Sequence, residues 1–490
     1  MFIRSLLGAA AVSLVASASL AAQEDITIGM ALEPPNLDPT GGAAAAIDEV
    51  VYANIFEGLT RFAPDGSIVP GLAESWEVSE DGKVYTFRLH EGVTFHDGSA
   101  MDAEDVKFSL DRARAEESTN AQKALFTGIS KVEVIDPLTV QVTLGGPDGA
   151  FPFKMAWGDA VILAPETVGD AATAPVGTGP FKLVEWVKGD RIEIARNDAY
   201  WGDAPALASA TFKFISDPNA AFAAMMAGDV DAFPNFPAPE TLAQFDANPM
   251  FKVVVGSTEG ETILAMNNAA GPLADVKVRQ AITHAINRQE IIDGAMFGYG
   301  TPIGTHFAPH NPDYVDLTAQ SAFDPEMSKT LLEEAGQTEL KLRLALPPPS
   351  YARRGGEILA AQLRNVGIET EISNVEWAQW LEQVFKGKDF DLTIVSHTEP
   401  ADINIYARPD YYFQYAKPEF QALVKELNAT TDPEARSALL KSAQQMIADD
   451  YVNGFLFQLA KTGVANAKIE GLWENAPTQA NDLTGVRWVE

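Results

Sequence analysis

The run from Lys341 to Val395 constrains the fold most. "KLRLAL", "IETEIS" and "FDLTIV" are short segments rich in aliphatic and β-branched residues. A stretch of helical apolar spacing reaching about Val366 separates the first two, and "EWAQWLEQVF" separates the last two. Strands joined through helices cannot pair as hairpins, so this order predicts a parallel sheet with right-handed crossovers. Sheets of that kind take ligands outside the carboxyl ends of their strands. The residues after "FDLTIV" are therefore the first place to look for a site.

Those residues are "SHTEPADINIYARPDYYFQY", Ser396 to Tyr415, which hold acidic side chains, a histidine, an arginine and five aromatic rings. One reading is a ligand wall, with rings to stack on and charges to fix the ends of a polar guest. The other is a loop that packs its rings on its own domain and turns its charges to water. The place of the loop at a strand's carboxyl end favours the wall.

A chain of 490 residues exceeds one ordinary core and implies two or three domains, and 46% apolar residues mark it as globular. Its 68 acidic residues against 35 basic ones leave a formal charge of -33. That excess repels phosphate backbones and anionic lipid heads, so no nucleic acid or membrane partner is expected, while cationic and zwitterionic solutes remain open. The absence of Cys excludes thiol nucleophiles, disulfides, thiolate metal sites and thioether lipid anchors. At the N-terminus, Arg4, an apolar run from Leu6 to about Val15 and small residues at Ser19 and Ala21 compose a cleavable secretory signal over residues 1–22. No later run approaches the ~20 apolar residues of a membrane span. A free periplasmic protein without a lipid anchor is expected.

Between these ends, "ITIGMA" reads as a strand and "AIDEVVYANIFEGL" as an amphipathic helix ending near Gly58. Hairpins are expected around Asp81-Gly82, Asp136-Pro137 and Lys188-Gly189-Asp190. A capping box of Asp102 and Asp105 opens a helix whose apolar face is Val106, Phe108 and Leu110. "VGTGP" reads as an interdomain crossing, Gly228 as the stop of an Ala/Met helix, and "FKVVVG" with "TILAMN" as paired strands. "VKVRQAITHAINRQEIIDGAMFG" reads as one long helix, and a helix capped by Asp432 with Pro433 at its first position leads into "GFLFQLA".

Among six histidines, His306 and His310 have metal-like spacing, but Pro309 lies between them and no H-E-x-x-H motif occurs. No G-x-S-x-G elbow or phosphate loop is present. No metal site, cofactor or catalytic residue is expected. A secreted hydrolase built on scattered carboxylates such as Glu399 and Asp402 is the reading of another class.

"GLAESWEVSEDGKVYTFRLHEGVTFHDGSAMDAEDVKFSL", "NLDP", "VGTGPFKLVEW", "AYWG" and "PLADVKVRQAITHAINRQEII" follow one another along the chain. In that order they resemble the family 5 extracellular solute-binding proteins of peptide, nickel and opine ABC importers. The resemblance implies an α/β, two-lobed periplasmic binding protein of type II with three regions, a hinge and an interlobe cleft. Lobe I would hold residues 23–58, 175–268 and 466–490, with an additional β-rich domain at 59–174, and lobe II residues 269–465. It also implies a monomer that captures a small polar solute, a di- or oligopeptide first, and delivers it to an ABC permease and its ATPase. An opine, an oligosaccharide or a nickel chelate are the alternative solutes.

Site residues follow from the same resemblance. Gly41, Gly42, Ala43, Ala44 and Ala45 match a loop that offers backbone groups to an extended peptide, and Trp377 matches a ring of a side-chain pocket. Peptide-binding members anchor the ligand's amino end with an acid after "Gly-Trp". Here His397 stands at the tryptophan position or beside a gap, so that acid is either Glu399 or Asp402. Tyr406, Tyr411, Tyr412 and Phe413 could supply stacking faces, and Arg408 could meet a carboxylate.

Overall fold

The computed structural model describes residues 23–42, 44–269, 271–398 and 402–489; Ala43, Glu399 and the expected signal at 1–22 lie outside them. β1 (Asp25–Met30) leads to α1 (Ala45–Val51), which stops seven residues short of Gly58. The backbone beyond it is bonded elsewhere. The carbonyls of Asn54 and Ile55 accept the amides of Phe181 and Gly179 at 2.8 and 3.0 Å, and the Asn54 side chain bonds to Asn481 and Leu483. The "VGTGP" crossing can come this close because it carries Gly177 and Gly179. A Cβ there would sit 1.9 Å from the Ile55 oxygen or 2.4 Å from the Asn54 oxygen.

β2 (Ala73–Val78), β3 (Val84–Leu89), β4 (Ile129–Asp136) and β5 (Thr139–Leu144) form a separate antiparallel sheet in the order β2-β3-β5-β4. Gly82, at φ 68°, makes the first turn. α2 (Ala103–Arg114) starts at the expected capping box of Asp102 and Asp105. Its buried face is Ala103, Val106, Leu110 and Ala113. Phe108, two residues from Val106, points off that stripe and lines an outer hollow with Lys107, Asp111 and Arg112.

The chain continues through the hairpin of β6 (Phe181–Val187) and β7 (Arg191–Arg196), then β8 (Ser209–Phe214), α3 (Pro218–Ala227) ended by Gly228 at φ 75°, and β9 (Ala232–Phe233). "FKVVVG" and "TILAMN" are not a pair. They are two ends of one 16-residue strand, β10 (Phe251–Met266). The Gly- and polar-rich middle that suggests a turn is a bulged stretch, which draws on the same residue types.

The long helix expected next is two, α4 (Val276–His284) and α5 (Arg288–Met296), because the side chain of Asn287 accepts the Glu290 amide and starts a new helix. β11 (Leu340–Leu346), α6 (Ser350–Asn365), β12 (Ile368–Asn374) and β13 (Leu392–His397) follow, with β11 parallel to both neighbours. The "EWAQW" segment is a short α-helical turn at Trp377–Trp380 that widens into a π-helix at Leu381–Lys386. α7 (Pro418–Ala429) and α8 (Pro433–Asp449), the latter capped by Asp432, lead to β14 (Asn453–Asn466).

One mixed sheet joins these strands in the order β12-β11-β13-β10-β14-β9-β1-β8-β7-β6. β10 runs antiparallel to β14 from Phe251 opposite Asn466 to Ala265 opposite Asn453, with register shifts between Ser257 and Glu261 and between Thr262 and Ile263. In its first half Phe251 and Val253 pack on the core of α3 and β9, and in its second half Leu264 and Met266 join the core of β11, β13, α4 and α6. The two strands thus pass from one lobe to the other.

The close packing of β10 is testable at Gly256, where a Cβ would lie 2.1 Å from the Glu474 carbonyl oxygen. Gly256→Ala should cost ~1–3 kcal/mol through overpacking, read as a lower urea midpoint. Val255→Ala, at a side chain 39% exposed, should stay within ~0.5 kcal/mol.

Candidate functional site

A cavity of about 240 Å³ lies between the lobes. Gly42, Ala44, Ala45 and Asp48, at the start of α1, form one wall. Trp157 and Asp159, with Ala121 and Gln122, form the next, and Thr478 and Gln479 border it. The bulge of β10 supplies Glu259, and Thr398, just past β13, comes from the other lobe. The loop at the carboxyl end of that parallel strand therefore reaches the cavity.

Three carboxylates line this space, and among the described lining residues there is no Lys or Arg. Glu259 is paired: its Oε1 lies 2.6 Å from His310 Nε2, while His310 Nδ1 meets Ser257 Oγ at 2.6 Å. Asp48 and Asp159 are not paired in this way. Burial pushes the Asp48 carboxyl well above its ordinary range, and the nearby Asp159 and Glu49 push it further. Burial also lifts Asp159, to about 7, against the pull of backbone hydrogen bonds; Asp38 adds to the rise.

A second, buried polar cluster forms around Asp402. Asp402 Oδ1 accepts from His306 Nε2 at 2.5 Å, and His397 Nδ1 stands 3.5 Å from Asp402 Oδ2. Tyr406 OH lies 3.1 Å from His306 Nδ1, and His397 Nε2 lies 3.1 Å from Tyr412 OH. Burial alone would raise the Asp402 carboxyl, but His306 and His397 together outweigh it and hold it below the usual range. Glu261, His306 and Asp402 each bring a potential metal-ligand atom within 4.8 Å of the others. His306 and His310, despite their spacing, serve different partners.

The expected site residues separate on folding. Gly42 and Ala44 line the cavity, and Gly41 is exposed beside Asp38. His397 and Asp402 belong to the buried cluster, and Tyr406 is fully buried within it. Arg408 is exposed, its guanidinium 4.8 Å over the Tyr411 ring. Trp377 is 41% exposed, edge-on to Trp380 at 5.6 Å, and does not line the cavity.

The rings of the loop do not face a guest. Tyr406, Tyr411, Tyr412, Phe413 and Tyr415 pack with Trp380, Phe420 and Phe455 into one core, where ring-on-ring contact and apolar burial use their faces. Asp48, Trp157, Asp159 and Glu259 escape sequence reasoning. Asp48 looks like the polar side of a helix and Glu259 like part of a turn, and nothing local to Trp157 or Asp159 marks either.

Two α/β lobes joined by long strands, with a polar cavity between them, define a solute-binding protein of the periplasmic two-lobed class. The chain belongs to the bacterial extracellular solute-binding proteins, family 5, whose middle-region model matches residues 67–418. It is 30% identical over 424 residues to the dipeptide-binding protein of Escherichia coli (strain K12), covering 78% of this chain and 79% of that one. It is 29% identical over 495 residues to the glutathione-binding protein GsiB of Pectobacterium atrosepticum, covering 96% and 95%. The crystal structure of a nickel ABC transporter protein from Bacillus halodurans superposes with a TM-score of 0.82 at 28% identity, over 95% of this chain and 100% of that one. The chain is thus the substrate-binding component of an ABC importer, working with a permease and its ATPase. Among the described residues no helix is long and apolar enough to cross a membrane.

A buried acid whose value is raised on folding destabilises the fold once it ionises. Its contribution is full below the unfolded value of about 4 and fades as pH rises through the folded one. With Asp159 lifted to about 7 and Asp48 raised beside it, the ligand-free protein should melt higher at about pH 5.5 than at about pH 8. Asp159→Asn should remove part of that difference and raise the melting temperature at the higher pH. Differential scanning calorimetry at both values checks this.

Proposed function

We propose that the protein works in the periplasm, is not an enzyme, and captures a short peptide between its lobes. The observation that supports this most is the two-sided cavity, with Gly42 to Asp48 on one lobe and Thr398 on the other. A solute that touches both sides binds the closed form better than the open one, which is the condition for closure. Gly42, Ala44 and Ala45 line the cavity with little side-chain bulk, suited to an extended peptide. The names of the relatives, one for dipeptides and one for the tripeptide glutathione, point the same way.

Within this reading the loop after β13 recognises the ligand, and Asp402 supports it from behind. Asp402 is already engaged by His306 and His397, which leaves Glu399 to meet the ligand's ammonium. Tyr406 and His397 hold that support in place, and Arg408 stays at the surface. Trp377 drops out of the pocket.

A thermal-shift screen against dipeptides, longer peptides, opines, oligosaccharides and nickel chelates tests the ligand class. A true ligand at ~100 times its dissociation constant adds ~2.7 kcal/mol of stability. Dipeptides should shift the melt; a response only to a sugar, an opine or a chelate replaces the peptide reading, and cleavage of a bound peptide overturns the non-enzyme reading. Glu399→Ala should weaken peptide binding with the melt of the free protein unchanged. Asp402→Ala should cost ~3–5 kcal/mol of stability, since it strips a buried pair of one partner.

A further inference from the structure

The wall of the cavity opposite Thr398 carries acids without a cation of their own. Asp159 sits on the short turn Gly158–Ala160, is 7% exposed, and has an Oδ1 with no hydrogen-bond partner among the described residues. Asp48 Oδ1 is likewise buried and without a partner among the described residues, and so is the indole Nε1 of Trp157, which also lines the cavity. Glu259, the third acid of the space, already has His310. A buried carboxylate is stable only when it is neutralised or meets a cation, and two near each other raise the cost of charging either.

We infer that Asp48, Asp159 and Trp157 form a cation subsite, so that the protein selects solutes carrying a basic group, such as peptides with a lysine or arginine side chain. The two carboxylates accept from the ammonium or guanidinium. The Trp157 ring offers a face for cation–π contact, and its Nε1 donates to a neighbouring carbonyl of the solute. Burial raises the carboxyls of both acids, a cost that a bound cation offsets. The excess of 68 acidic over 35 basic residues draws cations toward the cleft from a distance. The inference rests on the cavity being the solute site, and it names a different contact from Glu399, which meets the peptide's amino end.

Isothermal titration of the purified protein with Ala-Lys, Ala-(Nε-acetyl-Lys), Ala-Ala and agmatine tests it. Ala-Lys should bind at least about 30-fold tighter than its acetylated form, because acetylation removes the charge that the buried acids need. Asp48→Asn and Asp159→Asn should each erase most of that preference, with melting temperatures showing both variants folded. Equal binding of the charged and acetylated peptides, or a preference that survives both substitutions, overturns the subsite and leaves peptide capture standing. Binding of agmatine with no binding of any dipeptide keeps the subsite and removes the peptide reading. Failure of both Ala-Lys and agmatine to bind overturns the subsite.

Discussion

The backbone ladder between β10 and β14 is the constraint on which the rest of the structure depends. Its hydrogen bonds run from the pair Phe251 and Asn466 in one lobe to the pair Ala265 and Asn453 in the other. Both strands must satisfy their amides and carbonyls along their whole length, so neither lobe can be placed independently of the other. The ladder shifts register twice, between Ser257 and Glu261 and between Thr262 and Ile263. The first of these breaks turns Glu259 to the cavity and His310, and Glu261 to the cluster of His306 and Asp402. The break in the ladder and two acids of the polar groups around the cleft thus fall within the same few residues.

Buried charge is handled in two contrasting ways around this break in the ladder. Asp402 sits between His306 and His397, which hold its carboxyl below the usual range against the effect of burial. Asp48 and Asp159 have no such neighbours and are pushed toward the neutral form. A group that the fold itself satisfies supports the architecture. A group that the fold leaves unsatisfied at a cavity wall is available to a guest, and a satisfied pair next to an unsatisfied one separates scaffold from recognition.

Much of the fold was legible in short stretches. The parallel strands β11, β12 and β13 followed from alternation with helices, the hairpin turns from Asp-Gly and Lys-Gly-Asp, and the starts of α2 and α8 from Asp102 and Asp432. Each depends on residues within one turn or one strand of each other. The misreadings came where distant chain competes for local groups. α1 ends early because residues 177–181 and 481–483 take the hydrogen bonds of Asn54 and Ile55, and β10 is continuous because β14, some two hundred residues away, pairs with both of its halves.

The site divides along the same line. The sequence by itself determined the family, the parallel sheet and the nearness of the Ser396 to Tyr415 loop to a strand's carboxyl end, since periodicity, caps and motif order are carried by neighbouring residues. Only the tertiary structure decided what that loop does with its side chains and which acids border the cavity. Its rings are spent on the lobe's own core, because close contact with one another satisfies them without a ligand. Asp48, Asp159 and Glu259 come from three separated segments, and Asp159 acts on Asp48 only once folding has buried the two near each other.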